Sequence, residues 1–117
     1  MVNYADLLST IFSGQVQSYT NSGTAGGTFY YMNLGGIKIL WGQTASQASG
    51  SPGNAYNVNL PTSFFSTIQS AVVTSSALTS VVGQYCNISS ISTSQAVIYF
   101  ITSAASTQQV MLFVIGT

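Results

Sequence analysis

Asp6, Lys38 and Cys86 are, tyrosines aside, the side chains of this 117-residue sequence that could carry a charge or act as a strong nucleophile, and the sequence has no His. Without imidazole there is no Ser-His-Asp or Cys-His dyad, no His-ligated metal and no proton shuttle near neutral pH. One carboxylate cannot build a glycosidase pair, an aspartic dyad or an oxygen-ligand calcium cage. Cys86 has no second cysteine to bridge to within the chain, and nothing in the sequence lowers its pKa, so it reads as a small core residue. The expectation is a non-enzyme that needs neither cofactor nor metal.

What remains is binding by neutral groups. Charged residues make up 2% of the chain, against about 25% in ordinary domains. The surface must therefore be built from 19 Ser, 13 Thr, 7 Asn and 9 Gln. Nucleic acid is excluded as a partner, because phosphate affinity comes mainly from Lys and Arg displacing counterions and the chain has one cation. A polybasic membrane anchor fails for the same reason. The longest apolar runs, 96–101 and 110–115, are far shorter than the roughly 20 residues of a spanning helix, so no membrane insertion is expected. The N-terminus has no basic region followed by a long apolar core, so Met1 is expected to start the mature protein.

Amide and hydroxyl groups beside an aromatic face suit a neutral glycan, and loops over a rigid scaffold are where such groups work. The candidate ligand contacts are Asn54, Tyr56 and Asn57, with Asn59 beside them, then Tyr30, Tyr31 and Asn33. Ordinary turn chemistry and strand packing are the bland reading of each. Lys38 could meet an anionic sugar, or could be a solvated strand lysine or an interface residue. Trp41 alternates with Ile37 and Ile39, which places it in the core rather than under a sugar.

These residues need elements to hold them. Tyr4, Leu7, Leu8, Ile11 and Phe12 recur at intervals of three and four, predicting a short N-terminal helix with Asn3 as cap and Asp6 in its first turn. Its apolar face would pack either on its own domain or on a neighbouring subunit. Residues 18–28 read as a Ser/Gly-rich loop. The pattern then changes to period two, with strands over 29–34 and 37–41 joined by Gly35-Gly36. There Ile37, Ile39 and Trp41 share one face, and Lys38 and Leu40 the other. Residues 43–56 read as a long surface loop, and further strands are expected near 57–60 and over 69–75, 78–82, 84–89, 95–102 and 108–115. The last two are almost solidly apolar, so both faces need cover, and in so small a domain the second cover could be another copy of the chain.

Short strands separated by Ser, Gly and Asn turns, with no helical pattern between the later ones, point to an all-β fold. The expected architecture is a small antiparallel β-sandwich of about six to eight strands behind the short N-terminal helix.

Four segments, Gly-Gly-Ile-Lys-Ile-Leu-Trp-Gly at 35–42, Leu-Pro-Thr-Ser-Phe-Phe at 60–65, Ala-Val-Val-Thr at 71–74 and Val-Ile-Gly at 114–116, resemble the C-terminal tip domain of bacteriophage tail fibre proteins. The resemblance spans about residues 35–116. It departs at Leu40, where the family often has Gln. It implies an H-type-lectin-like sandwich that assembles as a homotrimer and binds a host-surface carbohydrate. On that basis residues 1–34 form a helix and connection, and residues 35–117 the β-sandwich domain. The implied role is a separately encoded receptor-binding module on a virion surface, in contact with other virion proteins. The alternative is a structural virion protein, decorating or cementing a capsid or fibre without a host ligand.

Overall fold

A computed structural model describes residues 3, 15–75, 85–102 and 106–117, and within them the chain is all-β. The strands are β1 (Gln17–Thr20), β2 (Thr28–Leu34), β3 (Ile37–Gln43), β4 (Gln47–Ser49), β5 (Asn54–Asn59), β6 (Ile68–Ser75), β7 (Tyr85–Ile91), β8 (Gln95–Ile101), β9 (Ser106–Gln108) and β10 (Val110–Gly116). The expected N-terminal helix and the strand over 78–82 lie outside the described residues. Ten described strands replace the six to eight expected. The difference comes from β1, inside the stretch read as a loop, from β4, inside the long surface loop, and from the separate short strand β9.

The apolar run at the end of the chain organises the fold. Val110, Leu112, Val114 and Gly116 of β10 are buried on one face, as period two requires. β10 sits between β3 and β6 in an antiparallel five-stranded sheet of order β1-β2-β3-β10-β6. Opposite it lies the sheet β5-β8-β7, whose Val58, Ala96, Ile98 and Phe100 are fully buried. Phe29, Leu40, Leu112 and Val114 from the first sheet meet these four in one core. Each large side chain so buried contributes about 1.5–3 kcal/mol relative to exposure. β4 and β9 form a separate two-stranded ribbon.

β7 carries a bulge between Ile88 and Ser90, opposite Ile98 and Val97. The extra residue resets the alternation, so Cys86 and Ile88 before it and Ile91 after it all pack against the core. Gln108 is a buried polar residue whose partners converge from several strands. Its Nε2 donates to Ser49 Oγ at 2.8 Å and to the carbonyls of Tyr85 and Ile101, and its Oε1 accepts from Ser75 Oγ at 2.7 Å. One amide thus ties β4, β6, β7, β8 and β9 together without an unsatisfied polar atom.

The facing of β3 is opposite to the sequence expectation. Leu40 is fully buried, while Ile37 is exposed and Ile39 and Trp41 are half-buried on the outward side. Gly35 and Gly36 adopt φ of 60° and 98°, the two positive values of a type I′ hairpin turn, and this fixes the register of β2 on β3. Phe29 then lies opposite Gly42, and Tyr30 opposite Trp41. A Cβ on residue 42 would stand 2.5 Å from the Phe29 ring, so the glycine leaves the inner volume to Phe29. Trp41 instead stacks on Tyr30 outside the core, with ring centroids 5.9 Å apart.

Candidate functional site

Residues 60–65 connect β5 to β6 and project between the two sheets at one end. Phe65 is buried, and Phe64 packs edge-on against both Phe65 and Tyr31. A turn over 61–64 is closed by the Phe64 N–H donating to the Pro61 carbonyl at 3.2 Å. Its third residue, Ser63, has φ 57°, a left-handed conformation that a residue with a side chain adopts at a cost. Lys38 Nζ donates to the Phe64 carbonyl at 2.5 Å and lies 5.5 Å from the Phe64 ring centroid.

Two solvent-open clefts flank this turn and share Pro61, Thr62 and Ser63 as a common wall. The first, of about 790 Å³, is closed on the far side by Tyr19, Ser22, Asn59, Thr93 and Ser94. The second, of about 750 Å³, is lined opposite the turn by Gln17, Tyr31, Asn33, Gly35 and Gly36. None of the lining residues is a carboxylate, an imidazole or a cation, so both clefts offer hydroxyls, amides and aromatic edges alone. Hydroxyls, amides and aromatic edges of this kind have the donors and acceptors to hydrogen-bond a neutral polyhydroxyl compound, and none of them shuttles a proton near neutral pH.

Internal hydrogen bonds fix the aromatic residues of these clefts. Tyr19 OH donates to the Asn59 carbonyl at 2.7 Å. Burial, with a smaller effect from Tyr31, pushes its phenol well above the ordinary value of 10. Tyr31 OH donates to Gln17 Oε1 at 2.6 Å. Asn33 Oδ1 accepts from the Gly36 N–H at 2.8 Å and so caps the hairpin turn at the edge of the second cleft.

The seven candidate contacts do not gather at one place. Tyr31 and Asn33 line the second cleft, and Lys38 holds its wall through Phe64. Tyr30 lies on the outward side of the five-stranded sheet. Asn54 and Tyr56 both donate to the Ala48 carbonyl, at 3.1 and 2.8 Å, and thereby anchor β4 to β5. Asn57 is engaged through its backbone, its N–H donating to Thr24 Oγ1 and its carbonyl accepting from Ala25 N–H. Asn59 accepts from Gln95 Nε2 and donates to Ser22 Oγ, beside the first cleft. Tyr19, Ser22, Thr93 and Ser94 lie in segments with no distinguishing sequence pattern, Thr62 belongs to the 60–65 segment without having been singled out as a contact, and only the fold brings the five together.

No group of three or more metal-ligating side chains occurs among the described residues. Among them no helix is long and apolar enough to cross a membrane. Burial raises the Cys86 thiol pKa, and the residue packs against the core as expected.

No protein-family model and no curated protein sequence matches the chain. An N-truncated R1-type pyocin tail fibre superimposes with a TM-score of 0.56 at 17% identity, covering 99% of this chain and 98% of that one. An N-truncated R2-type pyocin tail fibre gives a TM-score of 0.53 at 15% identity and covers 96% of this chain. The match covers 43% of that second protein, so this chain spans less than half its length. The chain has a tail-fibre-like fold. At these identities the likeness is one of backbone architecture. Within the tail-fibre-like fold, the turn over 61–64 and its two clefts are described by this chain's own residues.

Proposed function

We propose that the chain is a non-catalytic, homotrimeric receptor-binding module of a phage-tail-like particle, displayed on the particle surface beside other virion proteins and recognising a host-surface carbohydrate. The observation that supports this most is the fold shared with two pyocin tail fibres over at least 96% of the chain. The clefts either side of residues 61–63 supply a chemically suitable place for the ligand. Tyr31, Asn33 and Thr62 are the first residues assigned to contact it in the second cleft, and Tyr19, Ser22 and Thr93 in the first. The H-type-lectin likeness belongs to this proposal, as does the domain division at 34/35. The lack of imidazole and of paired carboxylates supports a binding role without turnover.

A structural fibre or decoration role without a host ligand is the second reading. It is favoured by the internal use of Asn54, Tyr56 and Asn59, which hold strands and a loop together. A glycan array on the purified protein separates the two. Recognition of a neutral oligosaccharide, weakened about fivefold by Thr62→Val as one hydrogen bond is lost, supports the receptor-binding reading. An array with no hit, together with no adsorption of the protein to intact bacterial cells, overturns it in favour of the structural role.

A further inference from the structure

Five of the exposed large apolar side chains, Tyr30, Ile37, Val72, Met111 and Phe113, project from the same side of one sheet. The strand register explains why. Tyr30, Trp41, Phe113 and Val72 are directly paired across β2, β3, β10 and β6, forming one apolar row. Met32, Ile39 and Ile115 form the next row along the same strands. The core lies on the opposite side of the sheet, so these rows face solvent.

We infer that this outer sheet face is the surface on which copies of the chain associate, with the Tyr30–Trp41 stack and Phe113 at the centre of the contact. This rests on the oligomeric reading proposed above and specifies its interface. The first argument is area. The five side chains are 40–53% exposed, and a large side chain presents roughly 150–250 Å², so together they expose about 450 Å². The half-buried Trp41, Ile39, Ile115 and Met32 bring the face to about 700 Å². A typical monomer's largest apolar patch is about 300–600 Å², and a standard interface takes about 800 Å² from each partner.

Charge selects the occupant. Lys38, the one charged side chain among the described residues, is on the inward side of β3 and is engaged by Phe64. The outer face therefore offers nothing to steer or orient a charged partner. A lipid surface is disfavoured too, since interfacial faces are flanked by Lys or Arg that meet the headgroups. A second copy brings the same uncharged, aromatic-rich surface, and a chain of net charge zero has no self-repulsion to oppose the contact. A cleft of about 480 Å³ bounded by Tyr30, Trp41, Gln43 and Met111 gives the face relief into which a neighbouring side chain can enter.

Trp41 is the chain's one tryptophan and reports on this face directly. The test follows the full-length protein by analytical ultracentrifugation from submicromolar to high micromolar concentration, with Trp41 emission and acrylamide quenching measured on the same samples. The expected result is that association and loss of quencher access occur together. Phe113→Thr and Val72→Thr, both outward and both suited to a strand, should move the association midpoint about tenfold or more to higher concentration, with unchanged far-ultraviolet circular dichroism. An oligomer in which Trp41 stays as quenchable as in the monomer overturns this interface and leaves the trimer reading standing. A dimer that protects Trp41 supports the interface and overturns the threefold stoichiometry. A monomer at every concentration overturns both.

Discussion

Lys38 Nζ donates to the main-chain carbonyl of Phe64 while lying over the same residue's ring. The sequence offers Lys38 as a contact for an anionic ligand, and the fold uses it to hold the turn that walls both clefts. Lys38→Met preserves the aliphatic stem and removes the charge-assisted hydrogen bond, which in this half-buried setting should cost about 1–2 kcal/mol. Urea unfolding of the variant checks this. Equal stability of the two proteins would mean that the contact contributes nothing net.

Because Lys38 is engaged internally and the clefts are uncharged, ligand binding should be almost insensitive to salt. Between low and high NaCl the affinity should change by about 1 kcal/mol or less, the scale of an exposed ion pair. Titration of an array hit at both ionic strengths decides it. A loss of tenfold or more would make the ligand an anion held by Lys38.

Stability should be flat in the neutral range and fall at alkaline pH. Between about pH 5.5 and 8 the chain has no His, and ordinary Asp and Lys values near 3.9 and 10.4 lie outside the window. Burial favours the neutral forms of Tyr19 and Cys86, so the folded chain keeps those protons after the unfolded chain has released them. The unfolded state then binds fewer protons, and stability that is complete below the ordinary values of 9 for Cys86 and 10 for Tyr19 is lost as pH rises past them. Thermal scans of the wild type, Tyr19→Phe and Cys86→Ser should show the alkaline slope reduced in each variant. An unchanged slope in both would place the titration elsewhere.

Gly42→Ala should destabilise the sandwich by about 1–3 kcal/mol through overpacking. The added carbon would meet the Phe29 ring at 2.5 Å and the Thr28 carbonyl at 2.6 Å, and the second of these is main chain that cannot swing away. Phe29→Leu in the same background should recover part of the loss. Denaturation midpoints of the two variants test the pair.

Asn21→Ala should cost about 1–2 kcal/mol, since it strands several half-buried main-chain groups at once. Asn21 Oδ1 accepts from the N–H groups of Gly23 and Asn59, and Nδ2 donates to the carbonyls of Gly26 and Asn57. Asn21→Asp keeps the acceptor, loses both donors and aims a charge at two carbonyls, so it should be no better tolerated. Hydrogen exchange at the Asn59 amide is the local readout, and unchanged protection in the alanine variant would overturn this account.

The strands over 29–34, 37–41, 69–75, 95–102 and 108–115 were legible because β-branched and aromatic residues concentrate there between Gly and Ser turns. The facing of β3 was not. Ile39, Leu40 and Trp41 are all apolar, and the one polar contrast in the strand, Lys38 on the Leu40 face, points the wrong way because the fold turns Lys38 inward and engages it at the Phe64 carbonyl; the constraint the sequence does not display is Phe29 against Gly42 on the neighbouring strand. β1, β4 and β9 are short and carry Gln, Ser, Thr and Ala almost throughout, so no hydrophobic alternation marks them. At the candidate site, Tyr31 and Asn33 could be named because they belong to a recognisable hairpin. Tyr19 and Thr93 become neighbours only after two sheets have closed on each other, and local pattern carries no trace of that.

The loop over 21–27 lies along the side of β5 that β8 leaves open. Asn21 and Thr24 side chains and the Ala25 N–H occupy the N–H groups of Asn57 and Asn59 and the carbonyl of Asn57. Most proteins guard such a margin against adding foreign strands with lysines, prolines or inward charges. A chain with 2% charged residues has almost no gatekeepers to post there, and uses its own loop to occupy hydrogen-bonding groups that could otherwise template fibrous aggregation.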